Sequence, residues 1–288
     1  METSTLKYLA IDLDGTLLNG RSRLTSRSLR ALERCVERGL YVGICTGRGV
    51  MTCRTLLDSV PFNAPHIVQG GALLAEPHTW EPLFYGNLAP EQAAVVVETV
   101  RQLGLPPVAY EAMPDGYRFY YDRLAPIPEP MQLYLDFNRL RQREVADVAE
   151  LLTGPAALIA TVGKRETLVE LDAALHRVLP GASIINECNR THPDYGELYV
   201  LPTGCDKGTA LRRVCEHLGV SPADVMAFGD NLNDLELMQA AGVGVAVANA
   251  VDAIREAADI VTASNDDDGV ALAIQEYVLR DQPATACD

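Results

Sequence analysis

Residues 9–18 read Leu-Ala-Ile-Asp-Leu-Asp-Gly-Thr-Leu-Leu (LAIDLDGTLL), an apolar run interrupted by two carboxylates, Asp12 and Asp14. The run predicts a short strand from Tyr8 to Leu13, continuous in apolar character as parallel strands covered on both faces are. Two acids one residue apart carry a desolvation cost that only a partner can offset. Working outward, a helix begins with Thr25 or Ser26 as N-cap, places Leu29, Leu32, Val36 and Leu40 at helical spacing, and meets Gly39 as its stop signal. Leu40 to Cys45 is a second apolar strand, and it ends in Thr46-Gly47-Arg48. Strand, helix and strand joined this way imply parallel pairing through a right-handed crossover.

The same order returns late in the chain. A helix from Gly208 to Leu218 carries Leu211, Val214, Cys215 and Leu218 on one face, and the strand Val225 to Phe228 stops at Gly229-Asp230. A helix from about Asn233 to Ala240, a strand from Val243 to Val247, a short helix from Asp252 to Ala257 and the strand Ile260-Val261 follow. Both ends of the sequence thus build one α/β domain, expected over 1–86 and 202–288. The segment between, 87–201, differs in character. It opens on a helix with Pro90 at its start and Val96, Val97, Val100 and Leu103 on one side, then turns Pro-rich and Tyr-rich. It reads as an inserted α+β domain whose strand pairing the sequence leaves open. Asp281 to Asp288 read as a loose tail.

Composition narrows the class. The 288 residues carry a formal net charge of -15 and no dense Lys/Arg cluster, which argues against a nucleic-acid partner. No run of about 18 apolar residues supports a membrane span. The N-terminus, Met-Glu-Thr-Ser-Thr, lacks the features of a signal peptide, so the expected address is cytoplasmic. The seven cysteines, Cys35, Cys45, Cys53, Cys188, Cys205, Cys215 and Cys287, form no C-x-x-C pair and read as reduced thiols.

Three strands end in polar clusters: Asp12 with Asp14, Thr46-Gly47-Arg48, and Asp230 with Asn233 and Asp234. Ligands of open parallel sheets bind outside the carboxyl ends of the strands, so these clusters are expected to converge. Four acids in one cleft raise one another's pKa, which a divalent cation relieves, and an oxygen-only donor set suits Mg²⁺. Lys207, at a helix start, adds a positive charge and free N–H groups that favour an anion. Together they describe a phosphoryl pocket.

Asp12-Leu13-Asp14-Gly15-Thr16, Thr46-Gly47-Arg48, Lys207-Gly208 and Gly229-Asp230-Asn231-Leu232-Asn233-Asp234 resemble the four ordered motifs of the haloacid dehalogenase superfamily. The long insertion between the second and third motifs, with Ala258-Asp259-Ile260-Val261-Thr262 and Asp268-Gly269-Val270, is similar to its Cof-type phosphatases. The resemblance implies a Rossmann-like core with a parallel sheet and an inserted cap of the C2B type. It implies a Mg²⁺-dependent phosphatase that hydrolyses a small phosphorylated metabolite, a sugar phosphate or similar phosphomonoester, through an aspartyl phosphate. Asp12 is then the nucleophile and Asp14 the acid and later the base. Asp12, the Asp14 carbonyl and Asp230 hold Mg²⁺, with Asp234 steadying it from behind. Thr46, the amides of Leu13 and Gly47, Lys207 and Asn233 hold the phosphoryl oxygens. A monomer or weak homodimer is expected. Two other functions compete: a phosphomutase of the phosphomannomutase type, and a non-catalytic phosphometabolite-binding protein.

Other residues read more plainly. Arg48 is expected as a structural salt-bridge former outside the catalytic set. Gln69-Gly70-Gly71-Ala72 departs from the Asn-Gly-Ala that many relatives have, so contacts inherited at that loop are open. Asp266 to Asp268 read as a solvated loop and helix N-cap rather than a metal site. His66, His78, His176, His192 and His217 show no ligand spacing, and Cys45 and Cys205 read as buried or loop thiols. Tyr117, Tyr120 and Tyr121 are expected in the inserted domain's core, and Lys164, Arg165 and Arg190 are candidates for extra anionic groups of a substrate.

Overall fold

β1 (Tyr8–Ile11) is buried at every position and lies inside a parallel sheet of the computed structural model, which describes residues 6–57, 60–112, 118–189 and 191–280. Tyr117, Arg190, Cys287, the expected tail at Asp281 to Asp288 and Met1 to Thr5 lie outside the described residues. The chain divides into two compact units, residues 1–83 with 207–288, and residues 84–206.

In the first unit, α1 (Ser26–Glu37) follows β1. Thr25 is the N-cap and accepts a hydrogen bond from the Ser28 amide at 3.1 Å, satisfying one of the helix's free donors. Ala31, Leu32 and Cys35 are buried, and the chain leaves the helix through Gly39 at φ 81°, a left-handed position that glycine adopts without strain. β2 (Tyr41–Ile44) then pairs parallel with β1, and α2 (Val50–Leu57) follows. β3 (His66–Val68) and β4 (Leu73–Ala75) make an antiparallel pair that β5 (Pro82–Tyr85) extends.

The second unit opens on α3 (Pro90–Gln102), followed by β6 (Val108–Glu111), β7 (Phe119–Tyr121), α4 (Glu129–Phe137), β8 (Gln142–Glu144), β9 (Ala156–Lys164), α5 (Arg165–Val178), β10 (Ser183–Cys188) and β11 (Tyr195–Leu201). Its sheet runs β10-β11-β9-β6-β7-β8, antiparallel except for the parallel β7–β8 pair. Val96, Val97 and Val100 of α3 pack with Leu168, Leu171 and Leu175 of α5 over Ala109, Ile159 and Leu198 of the sheet. Tyr121 is buried and donates to Glu144 at 2.9 Å, whereas Tyr120 is half-buried and donates to Glu111 at 3.3 Å. Lys164 and Arg165 are exposed where β9 meets α5.

The chain returns to the first unit with α6 (Lys207–Leu218), β12 (Val225–Gly229), α7 (Leu235–Ala240), β13 (Val243–Ala246), α8 (Asp252–Ala257), β14 (Ile260–Val261) and α9 (Gly269–Ala273). Among the described residues the main sheet has five strands in the order β14-β13-β12-β1-β2, all parallel. β1 is followed outward by β2 on one side and β12 by β13 on the other. The strand order reverses between β1 and β12, the place where open α/β sheets leave a crevice at the strands' carboxyl ends. No helix among the described residues is long and apolar enough to cross a membrane.

Candidate active site

β1 ends at Ile11, so Asp12, Leu13 and Asp14 belong to the turn beyond it rather than to a strand reaching Leu13. The turn is tight: the Leu17 amide donates to the Asp12 carbonyl at 3.2 Å and the Leu18 amide to the Leu13 carbonyl at 2.9 Å. Gly15 takes φ 84° within it. Because Ile11 pairs with Phe228, Asp12 and Asp230 emerge side by side from neighbouring strand ends. Carboxylate oxygens of Asp12, Asp230 and Asp234 all lie within 4.8 Å of one another, and all three residues are buried.

The cation these acids face is Lys207, the first residue of α6 and only 1% exposed. Its Nζ donates to Asp12 Oδ1 at 2.7 Å and to Asp234 Oδ1 at 2.6 Å. Burial alone would lower the lysine's pKa, but the Asp12 and Asp234 carboxylates override it and hold the ammonium well above its ordinary value. Burial pushes the Asp12 carboxyl well up, with Lys207 pulling against it and Asp234 and Asp230 adding to the rise.

Asp234 organises the site from behind. Its Oδ2 accepts the amides of Asp230 at 2.9 Å and Asn231 at 3.1 Å while Oδ1 accepts Lys207, so both oxygens are committed to N–H donors. That fold-back requires Gly229, because a Cβ there would lie 2.4 Å from the Asp234 Cβ. Gly208 is needed for a similar reason: a Cβ would stand 2.3 Å from the Glu236 carbonyl oxygen of α7.

Arg48 is the salt-bridge former expected of it, and its partner is Asp14: the two form one bidentate pair. Arg48 Nε donates to Asp14 Oδ2 at 2.5 Å and Nη2 to Oδ1 at 2.6 Å. The planar fork of arginine matches the two oxygens of a carboxylate. Thr46 is buried beyond β2 and its Oγ1 accepts the Arg48 amide at 3.1 Å; Gly47 between them is exposed. Leu13 is buried, and Asn233 lies half-buried in a short helical turn with Leu232 and Asp234. Gln69 is buried at φ 50°, its amide donates to the Arg48 carbonyl at 2.9 Å, and its Oε1 has no hydrogen-bond partner among the described residues.

Sequence reasoning missed Thr16, Asn249 and Asn265. Thr16 Oγ1 donates to Asp230 Oδ1 at 3.0 Å, and the two asparagines donate to carbonyls of the same turn. The available signal was position: Asn249 follows β13 at the carboxyl edge of the sheet, as Asp230 follows β12. Asp266 and Asp267 of the acidic run are exposed as expected, and Asp268 stands at the N-cap position of α9, but its side chain bonds elsewhere. Ser264 caps that turn, while Asp266 Oδ1 accepts the Gly20 amide at 2.7 Å and Asp268 accepts the Thr25 hydroxyl. Acids on this surface find unpaired donors of the 20–25 loop within reach, and their own helix offers Asp268 no side-chain cap bond. Cys45 and Cys205 are buried and form no disulfide among the described residues.

With all three acids ionised, the cluster carries two more negative charges than the Lys207 ammonium offsets. All the donors are oxygens, so charge and chemistry both fit Mg²⁺.

A family model described as haloacid dehalogenase-like hydrolase matches residues 9–274. The chain is 28% identical over 280 residues to the 5-amino-6-(5-phospho-D-ribitylamino)uracil phosphatase YitU of Bacillus subtilis (strain 168), covering 96% of this chain and 99% of that protein. It is also 28% identical over 281 residues to the pyridoxal phosphate phosphatase YbhA of Escherichia coli (strain K12), covering 96% and 100%. A crystal structure of a haloacid dehalogenase-like hydrolase from Bacteroides thetaiotaomicron superposes with TM-score 0.75 at 28% identity, over 94% of this chain and 99% of that one. The chain belongs to the haloacid dehalogenase-like hydrolases and is a phosphatase of that family.

Proposed function

We propose that the protein is a Mg²⁺-dependent phosphomonoesterase of a small phosphorylated metabolite, working through a phosphoryl group held on Asp12. The observation that carries this reading is the buried cluster of Asp12, Asp230 and Asp234 around Lys207 at the sheet's carboxyl end. Asp12 and Asp230, with the Asp14 carbonyl, would hold Mg²⁺, and the ion would neutralise charge spreading over the transferring phosphoryl group.

In the first step an Asp12 oxygen bonds to phosphorus as the bond to the leaving oxygen breaks, and that oxygen takes a proton from Asp14. In the second step Asp14 takes a proton from water, the water oxygen bonds to phosphorus, and the bond to Asp12 breaks. Inorganic phosphate leaves and Asp14 carries its proton again. Arg48 bonds both oxygens of Asp14, so proton donation in the first step requires one of the two bonds to open. Lys207, Thr46, Asn233 and the amides of Leu13 and Gly47 would hold the phosphoryl oxygens, and the inserted segment, 87–201, would act as the cap that selects the substrate. The named relatives act on a phosphorylated ribitylaminouracil and on pyridoxal phosphate, which supports a small organic phosphate here.

Phosphate release from a panel of phosphomonoesters, with Mg²⁺ and with EDTA, tests the reading. Release is expected only with the metal, and Asp12→Asn should lower kcat by on the order of 10³-fold or more. Wild-type turnover by Asp12→Asn would refute the nucleophile, and isomerisation of a hexose 1-phosphate without phosphate release would refute the hydrolase.

A further inference from the structure

Asn249 commits its whole amide to main chain from two distant segments. Its Nδ2 donates to the Gly15 carbonyl at 2.8 Å, in the second peptide unit after Asp14, and its Oδ1 accepts the Asn265 amide at 2.9 Å. Asn265 in turn donates through Nδ2 to the Leu18 carbonyl at 2.8 Å, so both ends of the turn after Asp14 are bonded from this side. The loop carrying Asn249 is itself anchored on the other strand end: the Val251 amide donates to the Asp230 carbonyl at 3.0 Å. Asn249 therefore spans from Asp230's backbone to the backbone beside Asp14, while Thr16 closes the same link by side chain on Asp230 Oδ1. Asn249 is exposed as a residue, but both of its side-chain bonds are part-buried, so truncating it should lower stability modestly.

We infer that Asn249 is a positioning residue: by holding the Gly15 carbonyl to a loop anchored on Asp230, it sets where the Asp14 carboxyl stands for proton transfer to the leaving oxygen. The inference rests on the reading of Asp14 as proton carrier. General acid catalysis needs the donor within hydrogen-bond reach of the leaving atom, and a shift of about 1 Å costs on the order of 10²-fold.

The test compares two substrates in Asn249→Ala: p-nitrophenyl phosphate, whose phenolate departs without a proton, and the alkyl phosphomonoester that the wild-type chain hydrolyses fastest. The expected result is a kcat/KM, which reports the first chemical step alone, about 10- to 100-fold lower on the alkyl ester and no more than a few-fold lower on the aryl ester. On either ester kcat can fall, because Asp14 also serves as base in the shared second step, and the thermal midpoint should drop by no more than a few degrees. Asn249→Gln, which keeps the donor, should recover part of the loss. Equal losses of kcat/KM on both esters, or no loss on either, overturns the inference. Asp12→Asn separates the layers: activity there removes the underlying mechanism, whereas an inactive Asp12→Asn beside equal losses in Asn249→Ala removes the positioning role alone.

Discussion

Replacing Lys207 with methionine, which keeps the length and apolar stem of lysine, removes the only ammonium that touches Asp12 and Asp234 among the described residues. The lysine is 1% exposed and Asp234 fully buried, so neither contact is a screened surface pair. Removing one partner of a buried ion pair costs about 3–5 kcal/mol, because the remaining charges stay in low dielectric. Against a total stability of about 5–15 kcal/mol, that loss is large. Trp80 is the chain's single tryptophan, is 6% exposed and lies in the first unit, so its fluorescence reports unfolding of the unit that holds the site. Urea titration of wild type and Lys207→Met in EDTA should show the difference directly. Mg²⁺ at about a hundred times its Kd should return about 2.7 kcal/mol to either protein. A loss in EDTA below about 1 kcal/mol, the value of an exposed pair, would refute the buried Asp12–Lys207–Asp234 arrangement.

Two further outcomes are expected. His66 is buried between Trp80, at 4.5 Å between ring centroids, and Phe62, at 5.5 Å; burial pulls its pKa down to about 4 although a backbone bond at Pro77 acts the other way. The unfolded chain takes up this proton near 6.5 and the folded one only near 4, so the stability it contributes is whole above 6.5 and lost as pH falls towards 4. The span is about 3 kcal/mol, and His66→Phe should flatten it; a variant with the wild-type slope from pH 6.5 to 4 would exclude His66 as its source. Gly208→Ala forces a Cβ to 2.3 Å from the Glu236 carbonyl oxygen, so α6 must move off α7 and take Lys207 with it. The cost should be about 1–3 kcal/mol in the Trp80 transition together with reduced phosphate release, and wild-type values of both would show that the two helices separate freely.

Much of the first unit was legible because its signals are local, whereas α2 and the β3-β4-β5 sheet were not read. Apolar runs, the Thr25 cap, Gly39 and the boundaries of α8 and β14 all follow from residues a few positions apart. The second unit was legible only as helices and strands. Its sheet order joins β9 to both β6 and β11 and sets β7 parallel to β8, pairings that depend on closure over long loops and leave no local pattern. Ion-pair geometry was equally hidden: Asp14 and Arg48 are 34 residues apart, and nothing at either position names the other.

Two acids at the end of an apolar strand, a lysine opening a helix and an acidic loop after a later strand were written in the chain itself, because burial makes each of them need partners. Which partners they take was decided by the sheet. Placing β1 beside β12 brings Asp12 to Asp230, the approach of α6 to α7 lowers Lys207 between Asp12 and Asp234, and the loops after β13 and β14 deliver Asn249 and Asn265 to the turn behind Asp14. A hydrogen bond is decided at the scale of an ångström, whereas the pattern of apolar residues specifies only which face is buried.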